Sequence, residues 1–266
     1  MLSSSQITHR GAIALAGLLA LIAMGASVQA DFVTTFEDSI IQPTGPRTTG
    51  GGSTLVDYFF NAEGSANGNF ASFAVADFRG LRLGITSLGQ LSQFQLRLTE
   101  SNANFTRPGA IGVYFSTDAT TNIGLGSPLR YQATAGPQGL GTQLNGALGN
   151  RLGGFAFATT GNVNSGQVDT IDLRAGLASL GATAQAALLA ALDNGGTIRL
   201  AVASDDPTGV VAATFAGIGN TGLPNGGPTL VATASAAVPE PSSLILVGSG
   251  LLGSALALRR RAARTA

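Results

Sequence analysis

From Phe32 to Ala237 the apolar residues recur mostly at every second position, and that period decides what the chain can fold into. Successive side chains of a strand point to opposite faces, so a period of two marks strands with one buried face. Leu81, Leu83 and Ile85 alternate, as do Phe94, Leu96 and Leu98; Ile111, Val113 and Phe115; Phe155 and Phe157; and Ile198, Leu200 and Val202. Further strands are expected over Leu55–Phe60, Phe70–Phe78, Val168–Leu173, Val210–Phe215 and Thr229–Thr233. About ten to twelve short strands separated by Gly, Asn, Pro and Ser clusters predict an all-β fold, a β-sandwich or jelly roll. One short helix interrupts them. Thr183 is placed to cap it, Ala184 to Leu192 favour it, Gly195 can end it, and it should cover an edge or end of the sandwich.

The side chains that are missing narrow the chemistry. All 14 basic residues are arginine, cysteine and tryptophan are absent, and the only histidine is His9. Serine–histidine and cysteine–histidine nucleophiles, Schiff-base lysines, zinc sites built on Cys or His, and haem or iron–sulfur ligation each need a residue the folded part lacks. The expectation is a protein that is not an enzyme, with no catalytic residue assigned.

The two ends read as addresses. After Arg10 the chain is apolar from Gly11 to Met24 and reaches Val28-Gln29-Ala30 before Asp31. This is the layout of a secretory signal, residues 1–30, cut by signal peptidase after Ala30, with small residues at Val28 and Ala30 and a new N-terminus at Asp31. At the far end Val238-Pro239-Glu240-Pro241-Ser242-Ser243 precedes an uncharged run, Leu244 to Leu258, followed by Arg259, Arg260, Arg261 and Arg264. Those fifteen residues would make a helix of roughly 22 Å, a minimal single transmembrane span against a ~30 Å hydrocarbon core. Arginines behind it would stay in the cytoplasm and leave residues 31–237 outside.

This ending resembles the PEP-CTERM sorting signal of exported proteins in Gram-negative bacteria, over residues 238–264. The resemblance implies that Pro239-Glu240-Pro241 is a processing motif read by an exosortase. It also implies transient anchoring in the inner membrane and delivery to the cell surface or an exopolysaccharide-rich biofilm matrix. The part between the ends, 31–237, carries nine arginines against thirteen carboxylates, a net charge of −4. It offers no basic patch, so a nucleic-acid partner is not expected.

A second resemblance lies in the middle. Phe78-Arg79-Gly80-Leu81-Arg82-Leu83, Leu96-Arg97-Leu98, Ile171-Asp172-Leu173, Leu189 to Leu192 with Ile198-Arg199-Leu200, and Gly227 to Thr233 are similar in order to DNRLRE-type and related carbohydrate-binding jelly-roll modules. The DNRLRE signature itself is absent.

Candidate sites are few. Gly217-Ile218-Gly219-Asn220-Thr221-Gly222 and Gly248 to Gly253 both fit Gly-x-Gly-x-x-Gly, but the first runs into Leu223-Pro224 and the second lies in the apolar run, so they read as turn or helix-packing glycines. Glu37-Asp38 and Asp205-Asp206 would suit calcium, a hard cation that takes oxygen ligands, if the first and penultimate strands are neighbours. Asp205 to Gly209 also reads as a hairpin turn. Phe60 and Tyr114 are the aromatic side chains that strand alternation could turn to solvent to contact a glycan, the other reading being that they pack against loops or the helix. The leading reading is an exported, non-catalytic, exopolysaccharide-associated surface or matrix protein. The alternatives are a carbohydrate-binding module, calcium-stabilised in one version, and a carboxylate-based glycosidase or lyase.

Overall fold

A computed structural model of the chain describes residues 30–47, 58–101, 106–158, 166–220, 222–223 and 226–235. Twelve strands run through them: β1 (Ala30–Thr34), β2 (Glu37–Gln42), β3 (Gly45–Pro46), β4 (Phe59–Glu63), β5 (Phe73–Arg79), β6 (Leu91–Thr99), β7 (Gly109–Ser116), β8 (Arg151–Phe157), β9 (Val168–Asp172), β10 (Thr197–Ser204), β11 (Ala212–Ala216) and β12 (Thr229–Ala234). Every pairing among them is antiparallel.

The first sheet has the order β1-β12-β6-β9 and the second β3-β2-β5-β10-β7-β8. With β1, β5, β6, β7, β8, β9, β10 and β12 taken as first to eighth, the two sheets follow the orders 1-8-3-6 and 2-7-4-5. That winding is a jelly roll, so the fold is the expected all-β one. The hairpin β2–β3 widens the second sheet beyond β5, and β4 pairs with β11 as a separate ribbon. Residues Gln29–Ala234 form one compact unit.

Alternation places the core between the sheets. Phe94, Leu96 and Leu98 of β6 and Leu230 of β12 face Ala74, Ala76 and Phe78 of β5, Val113 of β7 and Leu200 of β10 in one buried cluster. Each large side chain so buried contributes about 1.5–3 kcal/mol. The opposite face of the second sheet is buried too. Phe73, Val75, Tyr114 and Ala201 pack there against Ile123, Leu129, Tyr131, Leu140 and Leu144 from residues 117–150, a long connection with little regular structure. Strands covered on both sides read as nearly continuous apolar runs, as Phe-Ala-Val-Ala in β5 and Leu-Ala-Val-Ala in β10 do.

The helix occupies Ala182–Asn194 and buries Ala184, Leu188 and Leu192. Its N-cap is Gly181, two residues before the expected Thr183, while Gly195 ends it in the left-handed conformation with φ 74°. Leu81 to Ile85 is not a strand. The Leu83 N–H bonds to the Leu192 carbonyl at the helix end (3.1 Å), and Arg82 and Gly84 have φ values of 52° and 63° that no strand accepts. Asp205 to Gly209 turns, with the Gly209 N–H on the Asp206 carbonyl at 2.9 Å, but its flanks β10 and β11 belong to different sheets, so it closes no hairpin. Among the described residues no helix is long and apolar enough to cross a membrane. The expected signal segment before Ala30 and the span 244–258 lie outside the described residues.

Candidate functional site

The ribbon β4–β11 presents one face to the core and the other to a cavity. Phe60, Ala62, Ala213 and Phe215 point into the main core. Strand alternation therefore turns Phe59, Asn61, Glu63, Ala212 and Thr214 outward, and these line a cavity of about 570 Å³, within the ~300–1,000 Å³ usual for small-ligand sites. Asn61 and Thr214 are directly opposed in the register.

Neighbouring segments build the walls. The hairpin β2–β3 ends at Arg47, whose N–H bonds to the Ile40 carbonyl at 2.7 Å and whose side chain lines the cavity. Arg107 bridges the other edge of β11, its N–H on the Ala212 carbonyl at 2.8 Å and its carbonyl accepting from the Ala212 N–H at 3.1 Å. The 3-10 turn Ser65–Phe70 follows β4 and is fixed by Asn67, whose amide donates to the Gly64 carbonyl (3.0 Å) and the Val211 carbonyl (2.9 Å). The turn needs Gly68 at φ 63°. It delivers Phe70 to the rim with 63% of its surface exposed, the most exposed aromatic ring among the described residues.

The floor is polar. The Asn61 amide donates to Glu63 Oε1 at 2.9 Å. Burial pushes the Glu63 carboxyl above its ordinary range, against the opposing pull of the Asn61 hydrogen bond and the Arg47 charge. Asn61 Oδ1 and Thr214 Oγ1 are buried with no hydrogen-bond partner. Unsatisfied buried groups of this kind cost about 1–3 kcal/mol each.

The residues expected to contact glycan are not the ones that line this cavity. Phe60 and Tyr114 are 0% and 1% exposed, which corrects both assignments. Phe60 has the parity of Ala62 and faces the core; Phe59 is the outward ring. The polar Asn61 and Glu63 share parity with Phe59, and that was the available signal. Tyr114 does leave the main core, but residues 117–150 cover that face, and its hydroxyl donates to Asp205. Burial, then the Asp205 hydrogen bond and charge, raise the Tyr114 phenol above its usual range.

The four acidic residues chosen for calcium do not meet. β2 and β10 lie on opposite sides of β5, with Glu37 and Arg199 both level with Asp77. Asp205 is six residues beyond Arg199, roughly 20 Å along the strand direction. Three of the four have partners of their own. Asp38 accepts the Ile218 N–H at 2.8 Å, and the first glycine motif opens in a turn, with the Asn220 N–H on the Gly217 carbonyl at 3.0 Å. Asp205 accepts from Arg151 at 2.7 Å. Asp206 accepts from the Thr208, Val210 and Val211 N–H groups, and these outweigh burial to hold its carboxyl below the usual range. Among the described residues no three His, Cys, Asp or Glu side chains are grouped to hold a metal ion.

Val28, Val238, Pro239, Glu240, Pro241, Arg259, Arg260 and Arg261 lie outside the described residues, and Ala30 and Asp31 open β1, paired with Thr233 and Ala232. A family model of the PEP-CTERM protein-sorting motif matches residues 237–261. No curated protein matches the chain.

Proposed function

We propose that this chain is a non-catalytic protein of the cell surface or of an exopolysaccharide-rich extracellular matrix. The sorting motif at 237–261 marks an exported envelope protein processed by an exosortase, and that observation carries the reading. The cavity on β4–β11 favours binding over chemistry. Among the described residues Glu63 is the single carboxylate lining it, whereas glycoside hydrolysis commonly takes two carboxyls flanking the bond. The test is fractionation of producing cells into inner membrane, outer envelope, extracellular polysaccharide and medium. The protein is expected to copurify with the polysaccharide and to leave it when the polymer is digested; residence in the inner membrane or free in the medium overturns the reading.

A carbohydrate-binding role within that layer is the second reading, favoured by the exposed Phe70 ring beside polar floor groups. Exposed aromatic rings stack on the apolar faces of sugars, while Asn, Thr and Glu meet their hydroxyls.

A further inference from the structure

We infer that the cavity on β4–β11 binds an acidic sugar residue, a pyranose ring that carries a carboxylate, as part of an anionic polysaccharide. The inference rests on the carbohydrate-binding reading and names its ligand class. Its first support is a local reversal of charge. The part of the chain from 31 to 237 is acidic overall, yet the cavity sets two guanidinium groups, Arg47 and Arg107, around one carboxyl, Glu63. Two guanidinium groups against one carboxyl leave positive charge in excess at the cavity. Neither arginine is in an ion pair among the described residues, where the salt bridges are Arg151–Asp205 and Arg199–Asp77. A guanidinium fork matches a planar carboxylate with two parallel hydrogen bonds.

The second support is the remaining chemistry of the lining. Phe70 at the rim offers an uncovered ring to the C–H face of a pyranose. Asn61 Oδ1 and Thr214 Oγ1 on the floor lack protein partners, and ring hydroxyls reaching the floor would supply them. A neutral glycan would leave the arginines unused and an aliphatic chain would leave the floor unsatisfied.

The compact unit Gln29–Ala234 is tested on immobilised polygalacturonate, polymannuronate and hyaluronate, with carboxyl-reduced polygalacturonate as the neutral counterpart. Saturable binding to at least one uronate polymer is expected, weakening as salt rises. R47Q/R107Q should lower affinity by about tenfold or more, the equivalent of losing one charge-assisted contact. F70A should also weaken binding, and Y114F, whose ring is buried elsewhere, should not. If the double arginine variant fails to fold, R107E and F70A decide the matter, since both side chains are exposed. No binding to any of the three polymers, equal binding to the reduced polymer, or full binding by folded arginine variants overturns the inference. Uronate binding by a protein that cells do not place in their polysaccharide layer would overturn the proposed location alone.

Discussion

Arg199 and Asp77 meet on the covered face of the second sheet, Nε and Nη2 each 2.7 Å from one carboxylate oxygen, while Nη1 reaches the Asp118 carbonyl at 2.9 Å. Both side chains are almost fully buried, at 3% and 4% exposure. Removing one partner strands the other charge. R199A and D77A should each lower stability by about 3–5 kcal/mol, whereas D77L/R199M, which removes both charges, should cost far less. Urea unfolding of the three variants checks this; additive single and double losses would show that the pair is not a closed unit.

Buried Glu100 and half-buried Asp169 form an acidic pair that makes stability depend on pH. Burial, then the charge and hydrogen bond of Asp169, push the Glu100 carboxyl from 4.5 up to about 7, and burial raises Asp169 as well. The Gln167 amide donates to Glu100 Oε1 (3.5 Å) and Asp169 Oδ1 (3.4 Å), while Glu100 Oε2 and Asp169 Oδ2 are buried without a hydrogen-bond partner. A folded-state value above the unfolded one means the folded protein binds more protons, so this group's contribution is full below about 4.5 and falls as pH rises toward 7. Urea midpoints should drop across that window in the parent and change much less in E100Q. A parent midpoint that rises there would sink the assignment.

Gly80 lies against the end of the helix, its N–H bonded to the Gly196 carbonyl. A Cβ at this position would stand 1.8 Å from the Ala191 carbonyl oxygen, closer than any backbone contact allows. G80A must therefore push residues 80–85 off the helix, and overpacking of this sort costs about 1–3 kcal/mol. G84A, whose added Cβ meets nothing within 4 Å, would suffer only from its positive φ, typically ~1 kcal/mol. Thermal melts of the two variants should separate by that difference, with G80A the lower.

The fold was legible wherever period two coincided with a sheet ladder. Leu96, Val113 and Leu200 all sit in the core as their alternation required. The same pattern misled at Leu81 to Ile85, because apolar alternation cannot distinguish a strand from a loop whose N–H groups are taken by a helix end. Tyr114 was misplaced for a related reason. Facing away from the main core means facing solvent only if nothing covers the second side, and residues 117–150, with glycines rather than periodic apolar residues, gave no sign that they would. The cavity was hidden because Arg47, Asn61, Arg107 and Thr214 come from four segments that only the topology brings together.

The processing step has its own test in the sequence. Proline lacks a backbone N–H and fixes φ, so Pro239-Glu240-Pro241 sets a single carboxylate between two pyrrolidine rings, a short and chemically distinctive string for an enzyme to read. If the exosortase reads it, E240A and P239A/P241A should both accumulate with the Arg264 end still attached, while the jelly roll, which ends with β12 at Ala234, keeps its parent melting temperature. E240Q separates charge from shape: a processing defect as severe as that of E240A assigns recognition to the negative charge. Mass spectrometry of the C-terminus in producing cells gives the answer, and trimming of all three variants at the parent rate would mean that recognition resides in the apolar run and arginines that follow.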